Sequence, residues 1–123
     1  MLDLTYYLKI CYTHKNIGYP YLNCWGLCCE FYRREKKINL DFFPTEDMRT
    51  LDRCYLSYRK ALKEIPKRDN CITAFFKHGI CVHCGIYLNN NKILHTDRST
   101  AVQALQDILK IKNYDEVRFY DAA

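Results

Sequence analysis

Asn23-Cys24-Trp25-Gly26-Leu27 puts a cysteine directly behind a good helix-capping residue, at the head of an apolar pattern with helical spacing. Asn in this place accepts hydrogen bonds from first-turn amides, so the sequence predicts a helix from Cys24 to about Lys36. Its buried side would be Leu27, Cys28, Phe31 and Tyr32. A thiol at such an end lies beside unpaired N–H groups and the positive end of the helix dipole. Both favour the thiolate, the nucleophilic form. The stretch begins a helical half of the chain and marks Cys24 as reactive, provided other segments supply partners.

Upstream, Leu4, Tyr7, Leu8 and Cys11 recur at helical spacing, and Thr13–Leu22, with Gly18 and Pro20, reads as a loop. Downstream, Asn39–Pro44 is a loop. Thr45 then caps a predicted long helix, with Glu46 and Asp47 in its first turn and Pro66 past its end. Met48, Leu51, Tyr55, Tyr58, Leu62 and Ile65 form its core stripe. Past Asn70 the period changes. Cys71–Phe76, Val82–Leu88 and Lys92–Thr96 read as strands, with turns at Gly79 and Asn89–Asn91. Thr100 and Gln103 have capping-box spacing ahead of a helix burying Val102, Leu105, Ile108 and Leu109. Asp115–Tyr120 alternates as a final strand. Helices first and an antiparallel sheet second give an α+β fold. The 123 residues are read as one domain, 1–123.

A hydrophobic content of 49% argues against disorder. A net charge of +5, from 19 basic and 14 acidic residues, is too scattered for a nucleic-acid footprint. The N-terminus lacks the features of a secretory signal, and no run approaches the ~20 apolar residues of a membrane span. The expectation is a protein made and folded in a cytoplasm, with most of its eight cysteines reduced and with neither nucleic acid nor membrane as partner. Cys11, Cys28, Cys29, Cys54 and Cys71 read as small buried hydrophobes, and His14 and His78 as exposed loop residues. Trp25 reads as an anchor for the helix start that also shapes a cleft.

The turn at Asn89–Asn91 sets the register of two histidines. With those three residues as the loop, Leu88 pairs with Lys92, His83 lies opposite Asp97, and His95 lies opposite Gly85. His83 and His95 then share a face as diagonal neighbours, roughly 7–8 Å apart at the backbone. Gly85 leaves open space beside the His95 ring. A two-residue loop would separate the histidines. A nucleophile needs a base within reach, and the base a polar group that fixes its tautomer. That logic assigns Cys24 as nucleophile, His83 as general base and then acid, and His95 as the orienting group. The Cys24 backbone N–H would help hold an oxyanion.

Asn23-Cys24-Trp25-Gly26-Leu27, followed by Phe31-Tyr32-Arg33, resembles the Asp-Cys-Trp-Gly-Leu…Tyr-Arg motif of NlpC-type cysteine peptidases. The tryptophan form resembles members found in tailed-phage tail-assembly proteins. His83-Cys84-Gly85-Ile86-Tyr87-Leu88…Ile93-Leu94-His95 is similar to the family's His-x-Gly-Ile-Tyr-Leu…His block. The end of the chain, through Val117-Arg118-Phe119-Tyr120, is similar to the family's last strand. The resemblance implies a papain-like fold, no cofactor, and hydrolysis of amide bonds in peptidoglycan stem peptides, with other phage tail proteins as partners and the virion as destination. It also implies that Tyr12, twelve residues before Cys24, is an active-site tyrosine. Asn23 stands where the family has Asp, and Lys15-Asn16 where a Gly-Gly pair is common. Two alternatives are a catalytically silent tail component and a zinc module built on Cys81, Cys84, His83, Cys24 and Cys28. On a regular strand Cys81 and Cys84 point to opposite faces, which opposes the zinc module.

Overall fold

The computed structural model describes residues 2–15, 17–40 and 62–122. Helix α1 (Leu4–Leu8) leads to two short strands, β1 (Cys11–Tyr12) and β2 (Tyr21–Leu22), which pair in parallel. Helix α2 (Cys24–Phe31) continues into a π-helical turn, Tyr32–Lys36, that ends on Lys37 in the left-handed region. Strands β3 (Leu62–Ile65), β4 (Cys71–Lys77), β5 (Ile80–Tyr87), β6 (Lys92–Asp97) and β7 (Ser99–Ala104) precede helix α3 (Leu105–Lys112) and strand β8 (Glu116–Ala122).

The six strands β3 to β8 form one antiparallel sheet in the order β3-β8-β4-β5-β6-β7. Side-chain alternation divides the interior between its faces. On one face Leu27, Cys28 and Phe31 of α2 pack with Tyr7 and with Ile72, Ala74, Phe76, Ile86 and Leu94. On the other, Leu105 and Ile108 of α3 pack against Cys71, Phe75, Tyr87 and Ile93. Fully buried side chains of this size each contribute about 1.5–3 kcal/mol, so these layers fix how α2 meets the sheet. Among the described residues, no helix is long and apolar enough to cross a membrane.

Several expectations need correction. The helix expected from Thr45 lies outside the described residues up to position 61, as does Cys54. Its last stripe positions, Leu62 and Ile65, belong instead to strand β3, where pairing with Ala122 and Phe119 of β8 overrides the helical spacing. Thr100 does not cap a helix. It sits in β7 opposite Thr96, and its hydroxyl donates to the carbonyl of Ile10 at 2.8 Å. Helix α3 starts five residues later, at Leu105, with Ala104 as a cap that offers no side-chain acceptor. Val102 packs from β7 as a half-buried side chain, and Leu109 is half-buried too. The predicted first helix ends at Leu8, and Cys11, expected to be buried, is an exposed residue of β1.

Candidate active site

Asn23 behaves as its position requires. Its Oδ1 accepts from the Gly26 N–H at 2.9 Å, and its carbonyl accepts from the Leu27 N–H at 3.0 Å. Its amide nitrogen donates to the His14 carbonyl at 3.4 Å, tying the preceding loop to the helix start. Cys24 is therefore the first residue of α2, where backbone N–H groups have no intrahelical acceptor. Trp25 is buried in the core beneath it, only 6% exposed.

The hairpin has the three-residue loop on which the histidine geometry depends. The Leu88 N–H donates to the Lys92 carbonyl at 2.9 Å, and the Lys92 N–H to Asn89 at 3.0 Å. Asn90 and Asn91 take positive φ, which asparagine tolerates better than most residues. Ile86 faces Leu94 and Tyr87 faces Ile93, the predicted register. His83 Nε2 lies 2.8 Å from His95 Nδ1, and both rings are about 95% buried, at 5% and 4% exposure. His83 packs against both Phe75, at 5.6 Å between centroids, and Tyr114, at 6.3 Å, which also touch each other at 5.4 Å. Asp97 does not complete a ladder pair with His83. It pairs with Ser99 and binds Lys112 at 2.7 Å. Burial would raise its carboxyl, but Lys112 and the two histidines hold it below the usual range.

Gly85 does not leave open space beside His95. A Cβ there would meet Ile93 Cγ2 and the Leu94 carbonyl oxygen at 2.8 Å and His95 Cβ at 2.9 Å. Glycine permits the close approach of β6.

From the other face of the sheet, the Cys24 thiol comes within hydrogen-bonding reach of His83 and of Cys84. Cys84 lies in turn 3.9 Å from Cys28, sulfur to sulfur. The hydrogen bond with Cys84 and then burial push the Cys24 thiol well above its ordinary pKa, while His83 pulls it down. The expected gain from the helix end is outweighed, and the resting group is a thiol facing an imidazole. Tyr12 is half-buried, with its hydroxyl 3.3 Å from His14 Nδ1. Burial and the nearby Cys24 and Asp97 raise its pKa. Pairing with Leu22 brings Tyr12 beside the entry to α2.

The structure thus brings Cys24, His83, His95 and Tyr12 to one place and keeps Trp25 beneath it. It adds a residue that sequence reasoning assigned elsewhere: Gln103, whose Oε1 is 2.6 Å from His95 Nε2. The available signal was the alternating Ser99–Ala104 stretch, which puts Gln103 one diagonal step from His95 across the β6–β7 ladder.

The cysteines differ from expectation in one further way. A bulge pairs Phe75 with His83 but Phe76 with Cys81, leaving Val82 extra, so Cys81 and Cys84 face the same core. The sheet therefore does not keep the two thiols apart on opposite faces, the separation expected to oppose zinc. Even so, no group of three or more His, Cys, Asp or Glu among the described residues is arranged to hold a metal ion. Cys28, Cys29 and Cys71 are buried as predicted, and His14 and His78 are exposed.

No curated protein matches the chain. Residues 11–118 match the model of the NlpC/P60 family, a span from β1 into β8 that contains the whole site. The α+β architecture, with helices on an antiparallel sheet, is that of the papain-like cysteine peptidases to which the family belongs, and its members' activity is of the cell-wall peptidase or amidase type. By this match over most of its length, the chain belongs to the NlpC/P60 family.

Proposed function

We propose that the protein is a cysteine endopeptidase that hydrolyses amide bonds in the stem peptides of bacterial peptidoglycan. Cys24 is the nucleophile, His83 the general base and then acid, and His95 the orienting group. The observation that carries this reading is the buried His83–His95 pair, 2.8 Å between ring nitrogens, with the Cys24 thiol interacting with His83, in an NlpC/P60 chain.

Because surroundings keep the thiol protonated at rest, the proton passes to His83 as sulfur attacks the carbonyl carbon. The carbonyl oxygen becomes an oxyanion beside the Cys24 N–H, with the Tyr12 hydroxyl close by. His83 then gives its proton to the leaving amine, and a thioester remains on Cys24. Water attacks that thioester with His83 again as base, which releases the new carboxylate and restores the thiol. Each step uses groups of this chain and requires no cofactor. Trp25 anchors the helix start under the substrate side.

The test is incubation of purified peptidoglycan of several wall chemotypes with the protein. New amino termini are counted and products identified by mass spectrometry. Wild type is expected to cleave at least one chemotype, Cys24→Ala to reduce cleavage by at least ~10³-fold, and chelator to change nothing. His95→Ala is expected to lose less activity than His83→Ala. Failure to cleave any chemotype would overturn the reading.

The Cys-Trp-Gly-Leu form of the motif supports a setting in a phage tail, with tail proteins as partners. Mass spectrometry of purified virions encoding the chain tests that setting: its peptides are expected among the tail components, and their absence counts against it.

A further inference from the structure

We infer that Gln103 is a positioning residue: its amide oxygen sets the tautomers of both histidines and so leaves a bare ring nitrogen on His83 for the Cys24 thiol. The inference rests on the catalytic roles proposed above and adds to them the group that makes those roles possible.

The Oε1 of Gln103 is only an acceptor, and it lies 2.6 Å from His95 Nε2, so that nitrogen carries the hydrogen. A neutral imidazole has one N–H. His95 Nδ1 is therefore a lone pair, and it faces His83 Nε2 at 2.8 Å. His83 Nε2 must then donate, and the one nitrogen of His83 left without a hydrogen is Nδ1. Since Nε2 is taken by His95, Nδ1 is the atom available to the Cys24 thiol, the neighbour that completes the line. The result is a one-way relay, Gln103 to His95 to His83 to Cys24, with every donor facing an acceptor. Reversing the amide would turn each hydrogen bond round and present Cys24 with an N–H that cannot take its proton.

Gln103 is well placed to impose this order and to be varied. It sits on β7, diagonal to His95, and its side chain is otherwise exposed. The charged or titratable groups facing the pair are Cys24 from α2, Asp97 at the end of β6, Lys112 from α3 and Tyr114 behind it. Burial lowers the His95 pKa, while Gln103 and Asp97 oppose that shift and Lys112 adds to it. An anionic acceptor at position 103 would favour the charged imidazole more strongly than the neutral amide does.

The test combines ring-nitrogen NMR with kinetics. In ¹⁵N-labelled wild type, both histidines are expected to be protonated at Nε2 and bare at Nδ1. A His95 protonated at Nδ1 overturns the inference, and this measurement stands whether or not any wall substrate is cleaved. A failure of the proposed activity is therefore distinguishable from a failure of the relay. On a substrate that is cleaved, Gln103→Leu is expected to lower kcat about tenfold with KM unchanged. Gln103→Glu, which keeps an acceptor, is expected to restore kcat to within about threefold and to move the acidic limb of the kcat/KM profile to higher pH. Gln103→Lys, a donor with no acceptor, is expected to lose at least a hundredfold. Equal losses in the Leu and Glu variants with an unmoved limb would reduce Gln103 to a packing residue and overturn the proposal.

Discussion

A thiol at a helix N-terminus ordinarily gains from the dipole, but Cys24 is 8% exposed and shares its hydrogen-bonding shell with a second cysteine. Desolvation acts against the charged form over the whole buried sulfur, whereas the helix end supplies only partial charges. Cys84 acts in the same direction as burial, because its sulfur competes with His83 for the same thiol. Removing it should therefore make Cys24 more acidic. Cys84→Ala is expected to shift the pH midpoint of Cys24 alkylation downwards and to speed alkylation at pH 7. Peptide mapping separates Cys24 from the exposed Cys11. A midpoint that stays or rises would mean that Cys84 does not hold the thiol protonated. The sequence could reveal the helix end but not this balance, which arises only when β5 is laid across the start of α2.

At the scale of elements, the site depends on how closely β6 approaches β5. Gly85 makes that approach possible, and an added methyl would press on backbone as well as side chain, the Leu94 carbonyl oxygen being 2.8 Å away. Backbone in a paired strand cannot swing aside as a side-chain tip can. Gly85→Ala is expected to cost about 1–3 kcal/mol and to displace His95, so that turnover falls further than the loss of folded protein explains. Thermal unfolding and kcat on the same preparation check both parts; an unchanged kcat at normal stability would show that β6 gives way freely. The hairpin that carries both histidines was legible because one decision, a three-residue turn at Asn89–Asn91, fixed the pairings nearest it, Tyr87 with Ile93 and Ile86 with Leu94. The capping of α2 by Asn23 was legible because caps act within four residues. What could not be read depends on distant partners. Thr100 and Gln103 fit a capping box locally, but β6 offers them ladder pairs and His95 a polar contact. Leu62 and Ile65 fit a helical stripe until β8 recruits them. The bulge at Val82 leaves no trace in alternation, and it alone brings Cys81 and Cys84 to one face.

At the scale of the whole molecule, the helical layer must stay fixed on the sheet for a sulfur from one to meet a ring from the other. Asp121 of β8 does this away from the site. It accepts from the Tyr32 hydroxyl at 2.6 Å and from Lys36 at 3.0 Å, both in the π-helical turn, and from Arg68, which precedes β4. Burial would raise its carboxyl, but Arg68, Tyr32 and Lys36 hold it well below the carboxylate range. A carboxyl with a depressed folded-state pKa stabilises the protein above its unfolded value, about 3.9, and loses that contribution as pH falls further. The clamp should therefore be complete from pH 5 to 8 and weaken below about pH 4. Asp121→Asn is expected to cost on the order of 1–2 kcal/mol at pH 7, the lower part of the range for charged hydrogen bonds because Arg68 is largely solvated. Denaturant unfolding at pH 7, 5 and 3.5 checks the sign: the gap between wild type and variant should be equal at the first two and smaller at the third. A gap that widens on acidification would mean that the carboxylate is a burden in the folded state, with the layers held by apolar packing alone.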